Sequence, residues 1–292
     1  MKKRLRIALQ KKGRLAQESL TLLERCGLKF RVRDNALLTQ VDNFPIDLLF
    51  VRDDDIPTLI FDGLCDAGIV GENVLLEAAL ALKNQSYKTL LPLSTCRCRL
   101  SIAVPQNFDY RGLGSLEGTR IATSYPRLLE NYLGQHKIRA EILVLSGSVE
   151  VAPRMGMAEA ICDLVSSGQT LEDNKLIEVD TLLESEAMFI QSMSAAEEFS
   201  DLFTMLKRRI QAVQQALERK YILFHAPKQA LEIICQCLPG AEAPTVMPLP
   251  AQPEKVAVHV VSSERIFWNT LEAIQSLGAS SILVLPIEKM LG

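Results

Sequence analysis

The stretch from residue 146 to residue 171, SGSVEVAPRMGMAEAICDLVSSGQTL, constrains the fold of this chain more than any other. Its pattern predicts an amphipathic helix, a short apolar strand, and a loop of serine and glycine that opens another helix. Strand, loop and helix in this order are the building unit of α/β proteins with a parallel sheet. We therefore expect an α/β fold in which this loop lies at the carboxyl edge of a sheet.

The loop at residues 166–170 has the composition of a phosphate site. Its members are Ser166, Ser167, Gly168, Gln169 and Thr170. Small residues let backbone N–H groups approach an anion closely, hydroxyls add donors, and the start of the following helix favours negative charge. Asp163 precedes the loop by three residues and is a candidate to face a ribose hydroxyl or a magnesium ion.

Polar residues also follow the predicted strands of the first hundred residues. The turn after residues 5–9 contains Gly13 and Arg14, and Arg52 follows the apolar run at residues 48–51. Asp66 and Glu72 belong to the next strand and the turn that ends it. We expect these side chains at one edge of the sheet, where open α/β sheets bind ligands. Two alternatives stay open, namely that the basic turn is only solvated and that the acids at residues 53–55 mainly cap a helix.

Composition excludes several classes of function. The net charge is −3, so the chain has no overall basic field for nucleic acid. The apolar run near the N-terminus is too short for a signal peptide, and no apolar window is long enough to span a membrane. We expect a cytoplasmic protein. The odd count of seven cysteines favours reduced thiols, although the two C-x-C pairs leave a metal as the less favoured alternative.

The order of predicted elements indicates three parts. Two successive α/β segments predict two lobes around a cleft, and residues 176–190 are expected to cross back to the first lobe. An amphipathic helix then spans residues 195–219, with apolar residues at helical spacing. The remaining elements follow the order βαββαβ, which is the ferredoxin-like motif. A module of this kind at the end of an enzyme is commonly a sensor or assembly domain.

Phosphate chemistry without a covalent nucleophile fits these residues best. The sequence has no G-x-G-x-x-G after a strand and no G-x-x-x-x-G-K-[ST], which disfavours dinucleotide and P-loop sites. His136, His225 and His259 lie where structural roles are expected, so no catalytic triad is predicted. A hydroxyl and glycine loop, a basic turn and several acids remain. Such a set fits group transfer in which cations and magnesium neutralise a phosphate leaving group.

Several separated segments resemble the ATP phosphoribosyltransferase family. They are QKKGRL, VRDDDIP, CDAGIVGENV, GTRIATSYP, GSVEVAPRMGMAEAICDLVSSGQTL and GASSILVLPIEKM. The resemblance runs essentially from end to end, and the tail implies the long form, which carries its own regulatory domain. It implies a bilobed core like that of periplasmic binding proteins, followed by an ACT-like ferredoxin-like domain.

The expected domains have the following bounds. A first catalytic lobe comprises residues 1–96 with 184–220, a second comprises 97–183 and carries the phosphate loop, and the regulatory domain comprises 221–292. The resemblance implies transfer of the 5-phosphoribosyl group from phosphoribosyl pyrophosphate to N1 of the adenine of ATP, with release of pyrophosphate, as the first step of histidine biosynthesis. It also implies feedback inhibition by histidine and homo-oligomers that interconvert between dimers and hexamers.

The resemblance also implies roles for individual residues. The loop at 166–170 would hold the 5′-phosphate, and Glu150 and Asp163 would contact the ribose hydroxyls directly or through Mg²⁺. Glu150, Asp163 and Arg52 are the expected catalytic residues, and Glu150 and Asp163 the expected metal ligands. Gly13, Arg14, Asp66 and Glu72 would lie with Arg52 on the ATP and pyrophosphate side.

The alternative from another class is a non-enzymatic binding or sensor protein, because two α/β lobes around a cleft also describe small-ligand binding proteins. Such a module would bind one ligand without needing Mg²⁺ and would release no pyrophosphate. The phosphate loop with acids at neighbouring strand ends favours the enzyme.

Overall fold

Two compact units make up the chain, Met1–Phe203 and Thr204–Gly292. The structure is a computed structural model that describes residues 3–33, 36–82, 86–195, 197–238, 244–263 and 268–291. The elements of the first unit, in chain order, are β1 (Leu5–Gln10), α1 (Arg14–Arg25), β2 (Leu38–Gln40), β3 (Ile46–Val51), α2 (Asp55–Phe61), β4 (Ala67–Gly71), α3 (Glu72–Leu82), β5 (Tyr87–Pro92), β6 (Cys98–Pro105), β7 (Arg120–Thr123), α4 (Pro126–His136), β8 (Glu141–Val144), β9 (Ala160–Val165), α5 (Gln169–Asp173), β10 (Leu176–Ser185) and β11 (Ala187–Ser192).

Sheet I has six strands in the order β2-β3-β1-β4-β11-β5. Strand β1 runs parallel to β3 and β4, while β11 is antiparallel to both of its neighbours. Leu5, Ile7, Ala8 and Leu9 of β1 are fully buried. A central parallel strand is covered on both faces, so its sequence is mostly apolar, with the exposed Arg6 near its start as an exception. The carboxyl ends of β1, β3 and β4 form one edge, from which the predicted polar turns project.

Sheet II has five strands in the order β10-β6-β9-β7-β8. Strands β9, β7 and β8 are parallel, and β6 and β10 are antiparallel additions on one side. The predicted amphipathic helix before β9 is wrong, because only a 3-10 helix at Val149–Val151 forms there. Ser148 before it has a left-handed backbone, and Pro153 and Gly156, with a φ of 68°, interrupt any longer helix. The turn keeps Glu150 next to the carboxyl edge of sheet II.

The chain passes between the two sheets twice, at residues 93–97 and at Glu186. The first crossing separates β5 of sheet I from β6 of sheet II, so these two consecutive strands do not pair. Ser94 and Cys96 have positive φ angles of 52° and 53°, which end the strand geometry there. The predicted return of residues 176–190 is confirmed, since β10 lies in sheet II and β11 in sheet I.

The second unit contains a four-stranded antiparallel sheet, sheet III. Its elements, after α6 (Ser200–Leu217), are β12 (Arg219–Pro227), α7 (Leu231–Gln236), β13 (Thr245–Pro248), β14 (Lys255–Ser263), α8 (Trp268–Ser276) and β15 (Ser280–Pro286). The strand order β13-β14-β12-β15 confirms the ferredoxin-like motif. Part of the predicted last helix, residues 264–267, lies outside the described residues.

The unit boundary differs from the predicted domain boundary. The predicted first lobe includes residues 184–220. In the structure, the residues from Thr204 onward, and so most of α6, belong to the second unit. Among the helices of the described ranges, none is both long and apolar enough to cross a membrane.

Candidate active site

A cavity of about 510 Å³ lies where the chain passes between sheets I and II. Its walls come from the start of α3, the first crossing, the end of β9 and the second crossing. The lining residues are Glu72, Arg97, Cys98, Arg99, Ser166, Glu184, Ser185 and Glu186. Both acids and arginines line it, so the cavity is suited to a ligand that carries phosphate together with hydroxyl or amine groups.

The loop at residues 166–170 connects β9 to α5 at the rim of this cavity. Gly168 has a φ of 86°, and a Cβ built on it would meet no described atom within 4 Å. The backbone is therefore in a conformation that favours glycine, next to open space. Hydrogen bonds hold the loop in place. The Gly168 carbonyl accepts the N–H groups of Leu171 at 3.0 Å and Glu172 at 3.1 Å, and the Ser166 carbonyl accepts from Arg99 at 3.3 Å.

The side chains of the loop differ in availability. Ser166, Ser167 and Thr170 are exposed. The Ser167 hydroxyl accepts the N–H of Gln169 at 3.4 Å, whereas the Gln169 amide donates to Asp173 at 2.9 Å along the short helix. The serine and threonine hydroxyls therefore supply donors to the loop, and the Gln169 side chain is already engaged.

Two carboxylates lie beside the loop. Asp163 of β9 is half-buried, and this burial raises the pKa of its carboxyl; the nearby charge of Glu150 raises it further. The Leu164 N–H donates to the Asp163 carboxylate at 2.8 Å, and this hydrogen bond lowers the pKa of the carboxyl. The structure thus brings Glu150 and Asp163 within electrostatic range of each other.

This pair fits a magnesium ion that also binds substrate oxygens. Protein sites for Mg²⁺ typically supply one or two carboxylates and leave the other positions to water and phosphate. Within the described ranges, no group of three or more His, Cys, Asp or Glu side chains forms a complete metal site. A metal held here would therefore depend on the ligand for most of its coordination.

Sheet I also contributes predicted site residues, at its carboxyl edge. Gly13, with a φ of 100°, precedes α1, and the Arg14 guanidinium donates to Glu18 at 2.8 Å. Arg52 follows β3 and is exposed. Glu72 begins α3 and lines the cavity, and burial together with the charge of Glu186 raises the pKa of its carboxyl. These four predicted residues lie at the carboxyl edge of sheet I.

The structure does not place Asp66 there. Asp66 precedes β4, and its carboxylate accepts the backbone N–H of Arg6 at 2.8 Å, beside the start of β1. Since β1 and β4 are parallel, this is the amino edge of sheet I, opposite the cavity. The prediction that Asp66 joins Arg52 and Glu72 is corrected, because an acid before a strand and one after it lie a whole strand length apart.

Tyr125 lies near carboxylates of both sheets. Burial is the main reason that the pKa of its phenol is raised, and the charges of Asp163, Asp53 and Asp54 raise it further. Asp163 belongs to sheet II, while Asp53 and Asp54 follow β3 of sheet I. The acidic side chains of both edges are therefore within electrostatic range of one phenol.

Ser185 and Glu186 line the cavity although they are not among the residues predicted from the sequence. Glu186 lies 3.9 Å from Arg97, and Arg99 forms a bidentate pair with Glu178 that lowers the pKa of that carboxyl. The polar triplet at residues 184–186 between two apolar runs is the signal that marks this crossing.

A family model described as ATP phosphoribosyltransferase matches residues 52–214, which is more than half of the chain. This chain belongs to the ATP phosphoribosyltransferase family. The match spans sheet II with its loop and acids, and strands β4, β5 and β11 of sheet I. A second model, described as HisG, C-terminal domain, matches residues 216–289, which contain sheet III. Both parts together show the long form of the family.

Solved structures agree with this assignment. An ATP phosphoribosyl transferase (HisG:HisZ) complex from Thermotoga maritima contains a chain that is 28% identical, with a TM-score of 0.60. The similarity covers 71% of this chain and 98% of that one. The periplasmic aliphatic sulphonate binding protein SsuA from Escherichia coli is 15% identical; the similarity covers 74% of this chain and 75% of that one, with a TM-score of 0.48. In the first unit, the two sheets and the two chain crossings between them form the two lobes.

Proposed function

We propose that this chain transfers the 5-phosphoribosyl group of phosphoribosyl pyrophosphate to N1 of the adenine of ATP. The products are N1-(5-phosphoribosyl)-ATP and pyrophosphate, and the reaction is the first step of histidine biosynthesis. The family match over residues 52–214 is the observation that carries this proposal, because it contains both the loop and its acids.

Each edge of the cavity has a separate task in this reaction. The loop at residues 166–170 binds the 5′-phosphate through backbone N–H groups and hydroxyls, and Glu150 and Asp163 orient the ribose. Arg14, Arg52 and Arg97 neutralise the phosphates of ATP and the leaving pyrophosphate. Two polyanions repel each other strongly at short range, so binding both requires cations on the facing side.

The transfer needs electrostatic stabilisation more than it needs a base. The bond from the anomeric carbon to pyrophosphate breaks, N1 forms the new bond with inversion, and the electron pair leaves with pyrophosphate. Unprotonated N1 is already a nucleophile, so no proton has to be removed from it. The half-buried charge of Asp163 stabilises the positive charge that develops on the sugar.

Magnesium is the cofactor in this proposal. Bound between Glu150, Asp163 and substrate oxygens, Mg²⁺ would supply positive charge against the pyrophosphate. Sheet III would bind histidine as a feedback inhibitor, the chain would form dimers and hexamers in the cytoplasm, and no separate regulatory subunit would be needed.

Incubation of the purified chain with ATP, phosphoribosyl pyrophosphate and Mg²⁺ tests the proposal. We expect phosphoribosyl-ATP and pyrophosphate in equal amounts, and no product after chelation of the metal until Mg²⁺ is restored. No product with Mg²⁺ present would contradict the proposal. Calorimetric binding of a small ligand without Mg²⁺ and without pyrophosphate release would instead support a binding protein.

A further inference from the structure

The start of α4 in the sheet II half is capped by a carboxylate from the sheet I half. Glu77 of α3 accepts the N–H of Arg127 with one oxygen and the N–H of Leu128 with the other, both at 2.8 Å. The side chain of Tyr125, at the N-cap position, makes no capping bond to the described residues of α4. The first N–H groups of a helix need a partner, and here the partner comes from the other half of the unit.

A second polar contact joins the same two helices to the crossing. Asn73 is only 3% exposed, and its amide donates to the Tyr125 hydroxyl at 2.9 Å. The Ser185 hydroxyl donates to the side-chain oxygen Oδ1 of Asn73 at 2.9 Å and accepts the Asn73 backbone N–H at 3.1 Å. Ser185 ends β10, directly before the crossing residue Glu186. This buried network therefore includes both halves and one of the two connections between them.

The ring of Tyr125 also packs against two apolar clusters. One cluster belongs to the sheet I half and includes Ile56 and Ile60. The other belongs to the sheet II half and includes Leu129 and Leu133. A side chain that is partly buried by both clusters loses contacts if either half moves away. The apolar contact and the two polar contacts thus oppose the same opening motion.

We propose that Glu77, Asn73 and Tyr125 form a latch that fixes the separation of the two substrate-binding edges, with Glu77 and Asn73 as positioning residues for the transfer. The inference rests on the proposed function, in which each edge holds one substrate. Halves that are joined by only two short crossings can bend about them, as hinged domains do. Reacting atoms must come within about 3 to 3.5 Å, and a misplacement of about 1 Å costs on the order of a hundredfold in rate.

Kinetics of matched variants test the latch. Glu77→Gln keeps the shape of the side chain but removes one of its two acceptor oxygens, and Asn73→Ala removes the amide. Glu130→Gln is the control, because Glu130 is exposed and pairs with Arg127 within α4 at 3.1 Å. We expect kcat to fall about ten- to a hundredfold in the first two variants. The dissociation constant for phosphoribosyl pyrophosphate alone should stay at the wild-type value, since the loop and its acids lie within the sheet II half.

Two kinetic outcomes would overturn the proposal. One is a kcat equal to that of Glu130→Gln, and the other is a parallel loss of kcat and of phosphoribosyl pyrophosphate affinity, which indicates damage to the sheet II half itself. Melting temperatures of all variants identify any that fail to fold, and Tyr125→Phe, which keeps the ring and removes the hydroxyl, then replaces Asn73→Ala.

Amide hydrogen exchange without substrates provides a measurement that is independent of the reaction. We expect faster exchange in residues 67–82 and 119–136 of Glu77→Gln and Asn73→Ala, and wild-type exchange in Glu130→Gln. Unchanged exchange in the two latch variants would refute the latch. If the wild-type chain forms no product, the proposed function fails, and the exchange result alone decides whether the latch exists.

Discussion

Gly168 is the residue on which the phosphate loop most depends. Its φ of 86° and the open space around it leave room for an anion where a side chain would otherwise project. We expect Gly168→Asp to raise the KM for phosphoribosyl pyrophosphate about ten- to a hundredfold, because a carboxylate replaces favourable N–H contacts with repulsion. Steady-state kinetics measure this change.

Gly118→Asp is the matched control for that prediction. Gly118 has a φ of 73° and is equally open among the described residues, but it precedes β7 at the amino edge of sheet II. Both variants therefore place a side chain at a positive φ angle and add the same charge. Equal KM values in the two variants would remove the loop from substrate binding.

We expect Asp163 to lower the stability of the folded chain while it supports the reaction. Burial raises the pKa of its carboxyl, so the folded chain binds this proton more readily than the unfolded chain does. The free energy of unfolding then falls as pH rises from the pKa of this carboxyl in the unfolded chain to its higher pKa in the folded chain. At neutral pH the ionised carboxylate therefore destabilises the folded chain. Asp163→Asn should raise the melting temperature by about 2–4 °C for each kcal/mol relieved, and lower kcat about a hundredfold.

Calorimetric melts at two pH values check this sign. The stabilisation by Asp163→Asn should be largest at neutral pH and disappear in acid, where the wild-type carboxyl is protonated and as neutral as the amide. A variant that is less stable than wild type at neutral pH would contradict the assigned cause.

At the scale of elements, the sequence predicts strands and their order well and the ends of elements less well. Mostly apolar runs such as β1 and β3 are unambiguous, and the βαββαβ order of the last unit is visible in the sequence. The helix expected after residue 146 fails because Pro153 and a positive φ at Gly156 override an amphipathic pattern. The placement of β5 and β6 in different sheets has no local signal, because pairing between strands is not a local property.

The candidate site shows the same limit. Short-range signals revealed the loop at residues 166–170, since glycine and serine next to a helix start carry local information. Asp66 was assigned to the wrong edge because it lies at the start of its strand, and only residues that follow a parallel strand reach the carboxyl edge. Glu77 was missed because its partners, Arg127 and Leu128, lie about fifty residues away, and a capping carboxylate from another element leaves no local pattern.

Two glycine positions test how elements pack. A Cβ on Gly68 of β4 would lie 2.9 Å from Cγ2 of Ile56, whereas Gly134 near the end of α4 has open space among the described residues. We expect Gly68→Ala to lower the free energy of unfolding by about 1–3 kcal/mol, because α2 must shift away from the sheet. Gly134→Ala should raise it by up to about 1 kcal/mol, since alanine favours the helix.

Urea denaturation of both variants measures these changes. Equal effects of the same sign would show that general backbone entropy, rather than the contact between β4 and α2, determines the outcome.

At the scale of the whole molecule, the two units are expected to respond to different ligands. Histidine should protect the amides of sheet III from hydrogen exchange, whereas phosphoribosyl pyrophosphate with Mg²⁺ should protect residues 163–170. The reason is that the anion loop and its acids belong to the first unit, while the proposed histidine site would belong to sheet III in the second. Protection of the loop by histidine alone would indicate competition at the cavity and contradict a separate site.

The position of β11 in sheet I has a consequence for the order in which the chain folds during synthesis. This strand lies between β4 and β5, yet it follows them by the full length of sheet II. Until residue 192 has left the ribosome, β4 and β5 each have an edge without its native partner, which is a hazard for aggregation. Sheet II is contiguous in sequence from residue 98 to residue 185. The later half of this unit should therefore be complete before the earlier one.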